Sequence, residues 1–252
     1  MTTELRAPSA PVQRAMAWCG VAFCVIYGAG ILIAGFIPPP SPDDNATEIS
    51  QFFADNTGRI RTGTLLMMLG GATMIPFFAV LTMQMRRIQG RFDGLCLAQL
   101  LAGGIAVWVF TLPPIIFAVA AFRPGQDVNV TQALNDLGWF LFVWNLGTVT
   151  CQAIVIAVAI FSDRAEHTGD GDPVFPRWVA YLNIWVAIGF LPGALLTYFK
   201  TGIVAWDGLL AFWLAAVLFF TWILVLFWAT LRAVNREARS PQAHASKTGV
   251  PA

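Results

Sequence analysis

The chain has 252 residues, 57% of them hydrophobic and only 12% charged, with a net charge of +1 and a mean hydropathy of +0.67. Soluble domains carry about a quarter charged residues, so the polar material for a water-facing surface is missing. A net charge so near zero also excludes bulk attraction to nucleic acid, and the composition predicts an all-α polytopic membrane bundle.

Six apolar runs reach the roughly 20 residues needed to cross a bilayer core. They fall near 16–38, 62–85, 95–121, 137–162, 178–199 and 208–231. Residues 1–15 and 234–252 are expected to form tails, disordered where Ala, Ser, Pro and Thr dominate. The first run is too long for the apolar part of a signal peptide and has no small-x-small site after it, so it is read as a retained span. Within it Gly20, Cys24 and Gly28 recur every four residues, a stripe predicted to admit a neighbouring backbone.

The segment before the second span places Ile49, Phe52 and Phe53 at i, i+3 and i+4, with Asn45 or Thr47 able to cap. This predicts a short amphipathic helix over 45–56, lying on the extracytoplasmic membrane face. Pro76, Pro113, Pro114 and Pro192 interrupt the second, third and fifth spans, freeing the carbonyls of Ala72, Val109, Phe110 and Ile188. Freed carbonyls in hydrocarbon need new partners. They either shape the bundle through kinks or line a cavity with acceptors. In the fourth span Asn145, Thr148 and Gln152 share one side, and Asn183 stands in the fifth. These amides suit interhelical bonding or ligand contact.

Between the last two spans, Lys200 at a helix C-terminus and Asp207 at an N-cap would complement the local backbone dipoles. Tyr198 and Trp206 beside them are expected as interfacial anchors. A sharper reading joins Lys200, Asp207, Arg59, Arg61 and Arg123, all on one face, into a ring. Such a ring would take the anionic head of a lipid or fatty acid whose tail enters the bundle toward Asn145 and Gln152.

Orientation follows from the basic residues. Arg6, Arg14, Arg86, Arg87, Arg91, Arg164, Arg177, Arg232, Arg236, Arg239 and Lys247 lie on one side, against Arg59, Arg61, Arg123 and Lys200 on the other. The excess predicts both termini in the cytoplasm.

No Asp, Glu, Lys or Arg falls in the middle of a predicted span, which argues against a proton-coupled carrier. The two histidines, His167 and His244, fall in a loop and a tail, so no metal centre, haem or other cofactor is expected. Cys19, Cys24, Cys96 and Cys151 lack CxxC spacing and read as small apolar residues. Nucleotide and nucleophile-elbow motifs are absent.

Three stretches, "ATEISQFFADNTGRIRTGTLL", "MQMRRIQG" and "FKTGIVAWDGLLAFW", carry a resemblance in layout. In that order they are similar to small bacterial integral membrane proteins of the domain-of-unknown-function 4386 type. The resemblance implies the six-span architecture and transfers no catalytic or binding residue. Two functions follow. One is a non-enzymatic binder or carrier of an apolar or amphipathic small molecule, or an accessory subunit, partnered by membrane lipids or other membrane subunits. The alternative is a membrane-embedded enzyme acting on a lipid or isoprenoid through Asp207 and Asp55.

Overall fold

A computed structural model describes residues 8–89, 94–163 and 173–248, with side chains omitted at Gln89 and from residue 240 onward. Arg6, Arg91, Arg164 and His167 lie outside the described residues, as do the side chains of His244 and Lys247. Among the described residues every element is helical, and six helical units are long and apolar enough to cross a membrane.

The first span is α1 (Ala10–Ala34). A short helix, α2 (Ala46–Asp55), precedes the second span, which is built from α3 (Thr57–Ala72) and α4 (Met74–Gln89). The third is α5 (Gly94–Phe122), and the fourth joins α6 (Val128–Val143) to α7 (Leu146–Phe161). The fifth passes from α8 (Arg177–Gly189) into a 3₁₀ segment, Leu191–Thr197. The sixth opens with a π-helical segment, Leu209–Leu214, and continues as α9 (Ala215–Thr248). Large apolar side chains such as Leu101, Trp108, Trp185 and Val217 point outward and are more than 60% exposed. In water such a belt would be a severe liability, whereas lipid covers it at no cost.

Several boundaries differ from those predicted. The first span begins at Ala10, because Pro11 suits a first helical turn and Gln13 is buried there. The expected tail 1–15 is therefore helical from Ala10. The fourth begins at Val128, where the Asp127 side chain accepts a hydrogen bond from Asn129 N–H at 2.8 Å. Asp136 thereby falls inside a helix. The sixth runs on through 234–248, because its buried face extends to Ala233 and Val234 and the following Arg, Glu and Ala residues favour helix.

The helix α2 forms over the expected stretch. Asn45 accepts from the backbone N–H of Thr47 and Glu48, and the Glu48 carboxylate accepts from Asn45 N–H at 2.8 Å. This reciprocal cap fixes the start of the helix. Ile49 and Phe53 are fully buried against the bundle and Phe52 half so.

The tightest backbone approach joins the first two spans, on a face other than the expected stripe. A Cβ on Gly30 would stand 2.7 Å from the Gly63 carbonyl oxygen, and one on Gly70 would stand 2.8 Å from the Tyr27 nitrogen. Gly20 meets the Phe77 ring, but Gly28 has open space around it. Spacing by four occurs on both sides of α1, and the partner's glycines select the side that is used.

At the end carrying the termini, a polar cluster ties three spans. Gln84 Nε2 donates to Gln13 Oε1 at 2.7 Å and to Glu237 Oε2 at 3.1 Å, while Arg87 donates to Gln84 Oε1 at 2.7 Å. The opposite end is joined by Trp206, whose indole N–H donates to Pro40 O at 2.8 Å. Trp206 is thus buried and is no interfacial anchor, while Tyr198 is 79% exposed.

Replacing Gly63 by Leu should destabilise the purified protein by about 3 kcal/mol or more, because the added atoms meet backbone that cannot move aside. Gly28→Leu should leave thermal unfolding within about 0.5 kcal/mol of the parent. Equal effects of the two changes would refute this packing.

Candidate functional site

The irregular backbone of four spans borders one cavity. In the third, Pro113 and Pro114 remove the donors that Val109 and Phe110 carbonyls would have used, and both residues line the cavity. In the fourth, the helix stops at Val143 and restarts at Leu146, and Asn145, in the gap at φ −84° and ψ 38°, lines the cavity. In the fifth, Phe190 stands where α8 gives way to the 3₁₀ segment that contains Pro192. In the sixth, Ala211 and Phe212 belong to the π-helical segment. The break in the second span closes on itself instead, with the Thr73 hydroxyl donating to Gly70 O at 2.7 Å.

The cavity has about 100 Å³ of room and is partly open, within a recess of about 700 Å³ that includes its mouth. That room suits a ring or a short chain segment, with the rest of any larger molecule at the mouth. Its wall is largely aromatic: Phe110 stands 5.3 Å from Tyr27, 6.3 Å from Phe142 and 4.8 Å from Phe219, centroid to centroid. Tyr27 and Asn145 are the polar side chains of the lining. The Tyr27 hydroxyl is buried with no hydrogen-bond partner among the described residues. An unpaired buried hydroxyl costs about 1–3 kcal/mol, so the position is destabilising on packing grounds alone.

The other candidate residues are placed elsewhere. Arg59 donates from Nε to Ile33 O at 3.2 Å and from Nη1 to Asn56 Oδ1 at 3.3 Å, which holds the end of α1. Arg61 donates to Ala121 O at 3.1 Å and Phe122 O at 2.9 Å, closing the end of α5 beside the exposed Arg123. Both guanidinium groups thus sit on carbonyl-rich helix C-termini, where positive charge is favoured.

Lys200 is exposed three residues past the 3₁₀ segment. Asp207 is half-buried and does not cap the sixth span. The N-cap is Gly208, where a Cβ would stand 2.7 Å from the Ile203 carbonyl oxygen, so the loop folds back too closely for another residue. Asp55 is exposed on α2, and neither it nor Asp207 lines the cavity. Of the seven residues singled out from the sequence, only Asn145 does.

Gln152 lies deeper, bonding across spans. Its amide donates to Gln99 Oε1 at 2.9 Å, and Gln99 donates to Thr82 Oγ1 at 3.3 Å and Phe78 O at 3.4 Å. Asn183 has a similar role, accepting from Trp222 Nε1 at 2.8 Å. Such bonds contribute about 0.6 kcal/mol each in membranes.

Sequence reasoning passed over Tyr27, although a signal was present. Tyrosines usually sit at the membrane–water boundary, and Tyr27 lies at the middle of the predicted span 16–38. Tyr27→Phe removes the unpaired hydroxyl and should raise the unfolding midpoint of the ligand-free protein, by the equivalent of about 1 kcal/mol. A lowered midpoint would mean that the hydroxyl has a bonding partner.

Comparison of the chain with family models, with curated proteins and with solved structures finds no match in any of the three.

Proposed function

We propose that the protein is a non-enzymatic integral membrane binder or carrier of a small apolar or amphipathic molecule, held in the cavity between the spans. The observation that carries this reading is the meeting of four backbone irregularities at one aromatic cavity. Each irregularity weakens a span, and helices built only to fill a membrane have no need of them. Interrupted helices around a common site are the usual means of exposing backbone groups to a ligand at membrane depth. The unpaired Tyr27 hydroxyl and the Asn145 amide supply the polar contacts that fix one orientation in an otherwise apolar pocket.

The experiment is mass spectrometry of the molecules that remain with the purified protein. A small apolar or amphipathic compound, enriched over the bulk extract, is expected. Ala216→Phe, which fills the cavity from α9, should reduce its retention at least tenfold while leaving helical content unchanged. No enriched compound, or equal retention by the variant, would defeat the proposal.

The reading also includes orientation: both termini in the cytoplasm and α2 outside, in a bacterial inner membrane. The bias of arginine and lysine toward the terminal side supports this orientation. A cysteine placed at position 45 should react with an impermeant thiol reagent in intact cells, and one placed at Ser9 only after lysis. The reverse pattern would invert the topology.

A further inference from the structure

At the end of the bundle that carries the termini, α9 changes character along one face. Val217, Leu224 and Trp228 are exposed at 64%, 45% and 44% and follow each other at i, i+7 and i+11. The same face then continues with Arg232, Asn235, Arg236 and Arg239, which together with Trp228 and Leu231 line a groove of about 380 Å³. Acidic Glu237 turns the other way, to Gln84 and Arg87. A fourth guanidinium arrives from α1, where Arg14 Nε donates to Asn235 Oδ1 at 2.8 Å.

The groove is built rather than merely charged. Arg232 lies over the Trp228 ring at 5.5 Å, and Trp228 packs against Trp178 of α8 with centroids 5.5 Å apart. Arg236 Nη1 donates to Pro173 O at 3.2 Å, which sets its side chain at the edge of the groove. Trp178 stands in the first turn of α8, so the tryptophan pair lies at the end of the bundle that carries the termini. The arginines follow directly beyond it, continuing an apolar track.

We propose that this groove is a binding site for an anionic phospholipid, its phosphodiester between Arg232 and Arg239 and an acyl chain along Trp228, Leu224 and Val217. Guanidinium groups match phosphate oxygens in planar two-point hydrogen bonds. A soluble phosphate would find the same charges but would leave the apolar track unused, so the lipid is the occupant that fits both parts.

The test is native mass spectrometry of the whole chain in detergent with equal phosphatidylglycerol and phosphatidylcholine. The parent should retain phosphatidylglycerol in clear preference. Arg232→Gln combined with Arg239→Gln should weaken that preference about 25-fold, at roughly fivefold for each arginine near the headgroups. A control pair, Arg86→Gln with Arg177→Gln, removes the same charge at the same end but outside the groove, and should keep the preference. Equal retention of the two lipids by the parent overturns the proposal, as does an unchanged preference in the groove variant or an equal loss in the control.

Discussion

A peptide group in hydrocarbon has no water to bond with, so a break in a helix at membrane depth persists only where protein or an internal space surrounds it. That constraint orders this bundle. The gap at Asn145, the helix end at Phe190, Val109 and Phe110 with their freed carbonyls, and the π-helical turn at Ala211 and Phe212 all border a shared space. The outward surfaces of the same spans carry large apolar side chains, Trp108, Trp185 and Val217 among them. The cavity is thus the common solution to several local conflicts, each set by particular residues in a different span.

Two further devices keep the interrupted spans in register. The first two spans meet backbone to backbone through Gly30, Gly63 and Gly70, giving the rest a firm wall to pack on. Arg59 and Arg61, at the start of α3, reach the carbonyl ends of α1 and α5 and set the relative heights of three neighbouring spans. Arg59 and Arg61, read from the sequence as part of an anion-binding ring, thus serve as helix-end fasteners.

Much of this architecture was legible in the residues. Long apolar runs gave the span count, and Asn45 or Thr47 ahead of Ile49, Phe52 and Phe53 signalled the start of α2. Local signals of that kind depend on neighbours in the chain. The partner face of α1 did not, because glycine spacing permits close approach on either side and only Gly63 and Gly70 decide between them. Asp207 looked like a cap for the same reason. Its displacement by Gly208 follows from the loop folding back on Ile203, and spacing cannot show such a fold. At the cavity, the prolines announced the freed carbonyls of the unbroken third span and the end of regular helix in the fifth. The break at Asn145 and the π-helical turn have no comparable mark, since Leu, Phe and Trp around them are ordinary helix formers.

The two fastened ends of the molecule have a mechanical consequence. The Gln13–Gln84–Glu237 cluster grips one rim, and Trp206 on Pro40 ties the other. A rod missing some of its internal hydrogen bonds bends at the gap before it bends elsewhere. The sixth span is held on both sides of its irregular turn, by Trp206 just before it and by Glu237 near its far end, so its compliance is concentrated at Ala211 and Phe212. The part of the cavity wall that those two residues form is therefore the section of the span that yields first, between two fixed points.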